Sequence, residues 1–394
     1  MQLASRMANI GTESAFETAA RARALEAQGR SVVHLEIGEP DFDTPAHVRE
    51  AVKRAIDAGR THYPPFPGIP ELREAIAADT ARRRGFAPDP GNVFVTVGGK
   101  GVMYYAILAL VDPGDEVIVP DPGYPIYESV ANFVGGRAVP IGIRQENDFR
   151  LDPDELAALV TPRTKMIVIN SPENPTGGVL TGEDLERIAR IAIEHDLVVL
   201  SDEIYSRILY GSEHRSIAAL PGMAERTIVL DGFSKTWAMT GWRLGYAIVP
   251  SWLNRGFGRL IINSVSGATT FAQVGAVEAI AGPQDEVDRM VAEFRARRDL
   301  VVDGLNAIPG VRCLRPEGAF YAFPDISATG QTGAQLADRL LHDAGVAVLA
   351  GTAFGRAGEN HIRISYATSR ENLLEALVRM RSVIEPLAAR ESGR

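Results

Sequence analysis

The sequence predicts an α/β fold: a mostly parallel sheet flanked by helices, joined to a smaller α+β unit. Three observations predict it. Between about residues 93 and 248, short apolar β-rich runs alternate with amphipathic runs of helix length. Those short runs are continuously apolar, as strands covered on both faces are. Beyond them, Gln284 to Asn306 is charged and strongly helical, which predicts a long helix leading into a second unit.

Residues 13–28 carry apolar positions at helical spacing, and Gly29 suits the helix end. The next helix starts at Thr44-Pro45, with Thr44 as its cap, Pro45 in its first turn and Gly59 closing it. A third runs from Pro70 to about Arg83. Strands are expected at Val93–Val97, Glu116–Val119, Met166–Ile169, Leu197–Leu200, Thr227–Leu230 and Leu244–Ile248. Helices fall between many of them, at Gly101–Leu110, Pro125–Phe133 and Gly182–Glu194, and a last helix lies near Arg370–Ile384. The expected division is a large α/β domain over 48–284 and a small α+β domain made of 1–47 together with 285–394.

The chain has 394 residues, enough for two or three domains at roughly 100–200 residues each. Its formal net charge of -9 argues against a basic face for nucleic acid. Cys313 is the only cysteine, so no internal disulfide forms and a reducing cytoplasm is the expected compartment. Met1 to Gly11 holds no signal-peptide core, and no apolar run approaches the roughly 20 residues of a membrane helix. The histidines show no metal-ligand spacing, and no Gly-x-Ser-x-Gly elbow occurs. Lysine stands only at Lys53, Lys100, Lys165 and Lys235, so any lysine chemistry has few candidates.

In open α/β sheets, ligands bind beyond the carboxyl ends of the strands. After the first predicted strand comes Gly98-Gly99-Lys100-Gly101, whose glycines and helix start suit an anion, although such glycines also simply make turns. After Met166–Ile169 comes Asn170-Ser171-Pro172-Glu173-Asn174-Pro175-Thr176-Gly177, which by itself reads as a loop. After Leu197–Leu200 comes Ser201-Asp202-Glu203-Ile204-Tyr205, where a buried carboxylate needs a partner, or caps a helix. After Thr227–Leu230 comes Asp231-Gly232-Phe233-Ser234-Lys235-Thr236, followed by Gly241-Trp242-Arg243-Leu244-Gly245. Together these strand ends offer a phosphate cradle, an amide, an acid with a phenol, and a lysine with a hydroxyl and a guanidinium nearby. Those groups suit a phosphorylated pyridine aldehyde: the lysine forms an imine, the acid keeps the ring nitrogen protonated, and the amide and phenol hold the ring oxygen.

In these blocks, in their order and spacing, the chain resembles the fold-type I pyridoxal 5′-phosphate (PLP) aminotransferases of class I/II, the aspartate aminotransferase-like family. The resemblance runs from Ile37-Gly38-Glu39-Pro40 to His361-Ile362-Arg363-Ile364-Ser365-Tyr366. It implies an aminotransferase moving an amino group between an L-amino acid and a 2-oxo acid. It implies that Lys235 is the Schiff-base lysine and proton carrier, and that Asp202 pairs with the pyridinium. Asn174 and Tyr205 would touch the ring oxygen, and Tyr124 would stack on the ring. Gly99, Lys100, Ser234 and Arg243 would hold the phosphate, Lys100 through its backbone N–H because many relatives carry Ser or Thr there. Tyr63 would reach the phosphate of a neighbouring subunit, which implies a homodimer with shared sites. Arg363 would bind the substrate α-carboxylate bidentately, and Gly38 lies in the segment that closes over substrate.

A β-lyase, an amino-acid oxidase or a cyclase would keep the same cofactor residues, and remains the alternative. A transcription regulator would need a DNA-binding segment ahead of Ile37, where there is no room. A nicotinamide dehydrogenase would need Gly-x-Gly-x-x-Gly after its first strand. For a distal substrate carboxylate, Arg259 is the one candidate cation, with a solvated helix arginine as the plainer reading.

Overall fold

The computed structural model describes residues 2–211 and 213–392. Met1, Gly393 and Arg394, the outer ends of the expected small domain, lie outside the described residues.

The chain opens with α1 (Ser14–Glu26), β1 (Val33–His34), α2 (Ala46–Asp57) and α3 (Pro70–Arg84). Then follow β2 (Val93–Val97), α4 (Gly99–Leu110), β3 (Glu116–Asp121), α5 (Ile126–Phe133), β4 (Arg137–Arg144), β5 (Arg150–Leu151) and α6 (Pro153–Leu159). Next come β6 (Thr164–Asn170), α7 (Gly182–Glu194), β7 (Val198–Asp202), β8 (Thr227–Gly232), β9 (Leu244–Ile248), α8 (Asn254–Ser264) and α9 (Thr270–Ala281). The C-terminal part holds α10 (Asp285–Asn306), β10 (Tyr321–Ala322), α11 (Gly333–Arg339), β11 (Val346–Ala347), β12 (Leu349–Ala350), β13 (Ile362–Ser365) and α12 (Arg370–Ser392).

Among the described residues, strands β2 to β9 form one eight-stranded sheet in the order β2-β9-β8-β7-β6-β3-β4-β5. The run from β8 to β4 is parallel, whereas β9 is antiparallel to both of its neighbours. The parallel strands are rich in Val, Ile and Leu and are buried throughout their centres, as a doubly covered sheet requires. On one face Val117, Val168, Leu200 and Leu230 pack against α4, α5 and α8. On the other, Ile167 and Val199 pack against α7, and Val95 and Tyr246 against α3 and α9. Fully burying one such aliphatic side chain contributes about 1.5–3 kcal/mol. A second core, around Phe294, Phe320, Ile364 and Met380, joins α10 and α12 to the short strands β10 and β13.

Two local expectations are corrected. Thr44 does not cap α2: its Oγ1 donates to the Ala238 carbonyl at 2.8 Å and accepts from Trp242 Nε1 at 3.0 Å, so Pro45 occupies the cap position. The first turn of α4 begins at Gly99 rather than Gly101, which puts Gly99 and Lys100 inside the helix start. Strand β4 has no counterpart among the expected strands, because Pro140 interrupts its sequence. Pro140 lies opposite Val119 where β4 has β3 on one side and no strand on the other, the edge position that proline tolerates.

Candidate functional site

The registers bring the carboxyl ends of β6, β7 and β8 to one edge: Asn170 lies opposite Asp202, and Asp202 opposite Leu230. β2 ends there too, with Val97 opposite Leu244. The edge is roofed by residues from the C-terminal unit, and a cavity of about 460 Å³ lies between, within the roughly 300–1,000 Å³ of small-molecule pockets. Its walls include Gly38, Gly99, Lys100, Tyr124, Asn174, Asp202, Tyr205, Ser234, Lys235, Arg243 and Arg363. Of the residues singled out in the sequence, Tyr63 and Arg259 lie outside it, Tyr63 standing 93% exposed on the surface. A larger cleft of about 660 Å³ on the far side of Tyr124 and Tyr127 contains neither lysine nor arginine apart from Arg356 at its rim, so the chemistry belongs to the smaller cavity.

One end of the cavity is an anion cradle. Gly98 has a φ of +72°, and a Cβ there would lie 2.5 Å from Arg243 Nη2. Glycine therefore lets the guanidinium come up against the start of α4. The first N–H groups of that helix have no intrahelical acceptor and carry its positive dipole end. Ser234 lines the same cavity.

The middle holds a buried acid and a half-buried amine. Asp202 is 3% exposed. Its Oδ2 accepts from Tyr127 Oη at 2.7 Å and its Oδ1 from the Ile204 backbone at 3.1 Å, so it caps a turn rather than a helix. Burial pushes its carboxyl up to about 7, against the pull of these two donors. Lys235 Nζ donates to the Gly38 carbonyl at 2.5 Å. Burial brings its ammonium down to about 8, with Arg363 and Arg243 adding to the fall and Glu39 opposing it.

The roof is Arg363, 4% exposed. Nη1 donates to Asn174 Oδ1 at 3.1 Å and Nη2 to the Glu36 carbonyl at 2.5 Å. The guanidinium stacks 4.5 Å from the Tyr321 ring centre and 4.7 Å from that of Phe354. Nε is buried without a partner among the described residues, so the fork keeps a donor in reserve. Asn174 is fixed by Asn170, which accepts from its backbone N–H at 2.9 Å and donates to the Asp202 carbonyl at 3.0 Å.

Three wall residues were passed over in the sequence. Tyr127 holds Asp202, and could have been suspected from its place one helical turn beyond Tyr124. Tyr321 Oη meets Tyr205 Oη at 2.7 Å, and a side chain on Gly38 would overlap that hydroxyl, so Gly38 has to be glycine. Glu13, at the start of α1, accepts from Tyr124 Oη at 2.7 Å and pairs with the Lys100 ammonium. The Lys100 side chain is thus turned to Glu13, leaving its backbone N–H at the cradle. Arg259 is exposed on α8 and does not line this chain's cavity. The cofactor implied by the resemblance fits these donors: a glycine-lined cradle for its phosphate, a buried acid for its ring nitrogen, and a half-buried amine of lowered pKa for its aldehyde.

Comparison with known proteins agrees with this chemistry. The family described as aminotransferase class I and II matches residues 30–380. The chain is 45% identical over 359 residues to the aspartate aminotransferase of Pyrococcus abyssi, covering 90% of this chain and 92% of that one. It is 43% identical to an aromatic-amino-acid aminotransferase of Thermococcus litoralis, covering 91% and 93%. The solved structure of the Thermus thermophilus aspartate aminotransferase with maleate superposes with a TM-score of 0.93 at 42% identity, covering 97% and 100%. A match of this breadth in both sequence and fold makes the chain a member of the class I/II aminotransferases, fold-type I enzymes that use PLP to move an amino group between an amino acid and a 2-oxo acid.

Proposed function

We propose that Lys235 is the residue that carries the cofactor and shuttles the proton, with Asp202 as its ring-nitrogen partner and Arg363 as the reader of the substrate α-carboxylate. The observation that carries this reading is that buried Asp202 and half-buried Lys235 face one cavity whose far end is the Gly98–Arg243 cradle. When bound, PLP supplies an aldehyde for imine formation and a conjugated ring that accepts electron density. The protein supplies the rest. Desolvation makes the Lys235 amine available as a nucleophile near neutral pH, and once released the same amine takes and returns a proton at the substrate Cα. Asp202, held by Tyr127, would keep a negative charge beside the ring nitrogen. Tyr205 and Asn174 would hold the ring oxygen, Tyr124 would cover the ring, and Gly99, Lys100, Ser234 and Arg243 would hold the phosphate. Hydride reduction followed by peptide mapping tests the assignment. The trapped cofactor should sit on Lys235; a label on Lys53, Lys100 or Lys165 would falsify it.

The working form we infer is a homodimer with shared sites. Tyr63, Phe66, Ile262 and Val265 are all exposed, and the 62–66 segment lies over α8 and the start of α9. Exposed apolar side chains carried by such neighbouring segments favour a partner. A cytoplasmic site of action agrees with the lone, buried Cys313. For the substrate side chain, Phe16 and Ile37 offer apolar contact, and the Glu13–Lys100 pair adds a polar end. This mixed lining favours apolar or aromatic amino donors over a dedicated dicarboxylate site.

A further inference from the structure

Behind the cavity, on the other side of β7 and β8, lies a charged cluster that the chemistry above does not use. Its centre is Arg84, the last residue of α3, whose side chain is only 2% exposed. Arg84 Nε donates to Glu203 Oε2 at 2.6 Å, and Nη2 donates to Asp231 and, at 3.3 Å, to Ser206 Oγ. Glu203 is the residue after Asp202. Asp231 stands four residues before Lys235, near the end of β8.

Both carboxylates are filled with donors. Glu203 Oε1 accepts from Ser216 at 2.6 Å and Ser201 at 3.0 Å, and Oε2 also contacts His214 Nε2 at 2.8 Å. Asp231 Oδ2 also accepts from Tyr246 Oη at 3.2 Å, and Oδ1 from the Gly232 N–H at 2.6 Å. Every partner of Asp231 is a donor, so the carboxylate form is the one these contacts suit. None of Arg84, Glu203, Asp231 or Tyr246 touches the cavity.

We propose that Arg84 is a positioning residue for amino transfer: from behind the sheet it clamps the two strand ends that carry Asp202 and Lys235, and its charge offsets Glu203 and Asp231 beside them. This rests on the assignment of Asp202 and Lys235 to the cofactor. A guanidinium suits the task because its rigid fork reaches two carboxylates at once, which an ammonium does not. The clamp also sets the field at the site. Glu203 and Asp231 both push the Asp202 carboxyl up, and Arg84 is the cation bound to both. The other titratable groups packed around it are Asp79 and Arg83 on α3, Arg207 and His214 in the segment after β7, and Tyr246 on β9.

The test compares holoenzyme and apoprotein of the parent with Arg84→Met, Arg84→Lys, Asp231→Asn and the Arg84→Met/Asp231→Asn double variant. Five quantities are read: the pH midpoint of the visible absorption of bound PLP, PLP affinity of the apoprotein, kcat and KM for an amino donor, and Tm. Removing the cation should raise the absorption midpoint by about one unit, because nearby negative charge favours the protonated form. Removing the Asp231 charge should lower it, and the double variant should fall between. For Arg84→Met, PLP affinity should drop about 10-fold and kcat about 10- to 100-fold, with KM nearly unchanged because Arg363 is untouched. Arg84→Lys should recover part of both. A purely structural cluster would lower Tm in all variants and leave the midpoints and kcat where they were, and that result overturns the clamp. If Arg84→Met does not fold, the downward midpoint of Asp231→Asn carries the same decision. Hydride trapping in the parent keeps the two readings separate: cofactor on another lysine overturns the site assignment, whereas cofactor on Lys235 with unmoved midpoints overturns the clamp alone.

Discussion

Asp202 and Glu203 follow one another at the end of β7, and both are cut off from water. Asp202 lines the cavity with two donors, and burial carries its carboxyl up to about 7. Glu203 faces the cluster behind with four partners, Ser201, Ser216, Arg84 and His214, which outweigh the same burial and hold it down at about 2. The cations divide the same way. Lys235 has one carbonyl and falls to about 8, while Arg84 has two carboxylates and is raised well above its ordinary value. Burial alone does not set the charge of these four groups, because the partners aimed at them decide it; at Asp231 burial still leads, and its carboxyl stays above the ordinary value despite Arg84. The under-satisfied pair faces the side where a ligand can complete it, and the satisfied pair holds the scaffold.

An under-satisfied residue that faces the cavity should matter to chemistry far more than to stability. Lys235→Ala should abolish covalent retention of PLP and lower turnover by about 10⁴-fold, since it removes both nucleophile and proton carrier. The Tm of its apoprotein should stay the same or rise. Thermal unfolding of the apoprotein beside single-turnover kinetics separates the two, and a collapse in Tm with residual turnover near the parent level would assign Lys235 to the scaffold instead.

The paired acids sharpen the contrast through opposite signs. Glu203→Gln leaves the Arg84 charge half paired and should destabilise by about 3–5 kcal/mol. Its contribution is present above the unfolded carboxyl value of 4.5 and is lost as pH falls through about 2. Asp202 runs the other way. Its folded value is raised above 3.8, so its contribution is complete below that value and is lost as pH rises through about 7. At pH 8 Asp202→Asn should therefore stabilise the apoprotein, by about 1–3 kcal/mol. Urea unfolding of both apoproteins at pH 5 and pH 8 checks this. Equal destabilisation by the two changes would mean that the donor count does not distinguish the residues.

Arg363 lies between these extremes: buried, bonded to Asn174 and the Glu36 carbonyl, yet with Nε unpartnered. Arg363→Lys removes the fork, and a charged hydrogen bond of this kind is worth about 1.5–3 kcal/mol, or roughly 10- to 100-fold in kcat/KM. The loss should appear for every amino acid and not for a simple amine. Unchanged amino acid turnover would locate the carboxylate reader elsewhere.

Much of the architecture was legible because covered parallel strands write themselves as apolar runs: β2 and β9 begin and end where Val93–Val97 and Leu244–Ile248 were read. The strand β4 was not, because Pro140 and its mixed burial imitate a loop. Much of the cavity wall could be named because the motif blocks sit at strand ends, which the topology brings to one edge, while Gly38, Tyr124 and Arg363 came from the family resemblance, and Glu13, Tyr127 and Tyr321 from neither. The pairs that set its electrostatics could not. Arg84 meets Glu203 across 119 positions and Asp231 across 147, and Arg84 itself stands in an Arg-rich stretch that reads as a solvated helix face. Long-range charge pairing leaves no local periodicity to detect.

The smallest expected effect concerns Glu13, where neither extreme of the comparison applies. The Glu13–Lys100 pair lies in the cavity wall but is partly open to water, with side chains 17% and 41% exposed. An ion pair so placed is worth about 0.2–1 kcal/mol. Lys100 is nevertheless the one wall cation that the α-carboxylate, the cofactor attachment and the Arg243 cradle leave unclaimed. While Glu13 holds it, a substrate carboxylate has to compete for the same ammonium. In Glu13→Gln the amide can still accept from Tyr124, so the ring stays in place, but Lys100 loses its counter-charge. The kcat/KM for aspartate and glutamate, relative to alanine and phenylalanine, should then rise about 2- to 5-fold, mainly through KM because the contact is remote from the reacting carbon. In Lys100→Met the same ratio should fall. Steady-state kinetics with the four donors measures it. If Glu13→Gln changes all four equally, Glu13 acts only as the tether of Tyr124, and the substrate side chain is read by Phe16 and Ile37 without help from the charged pair.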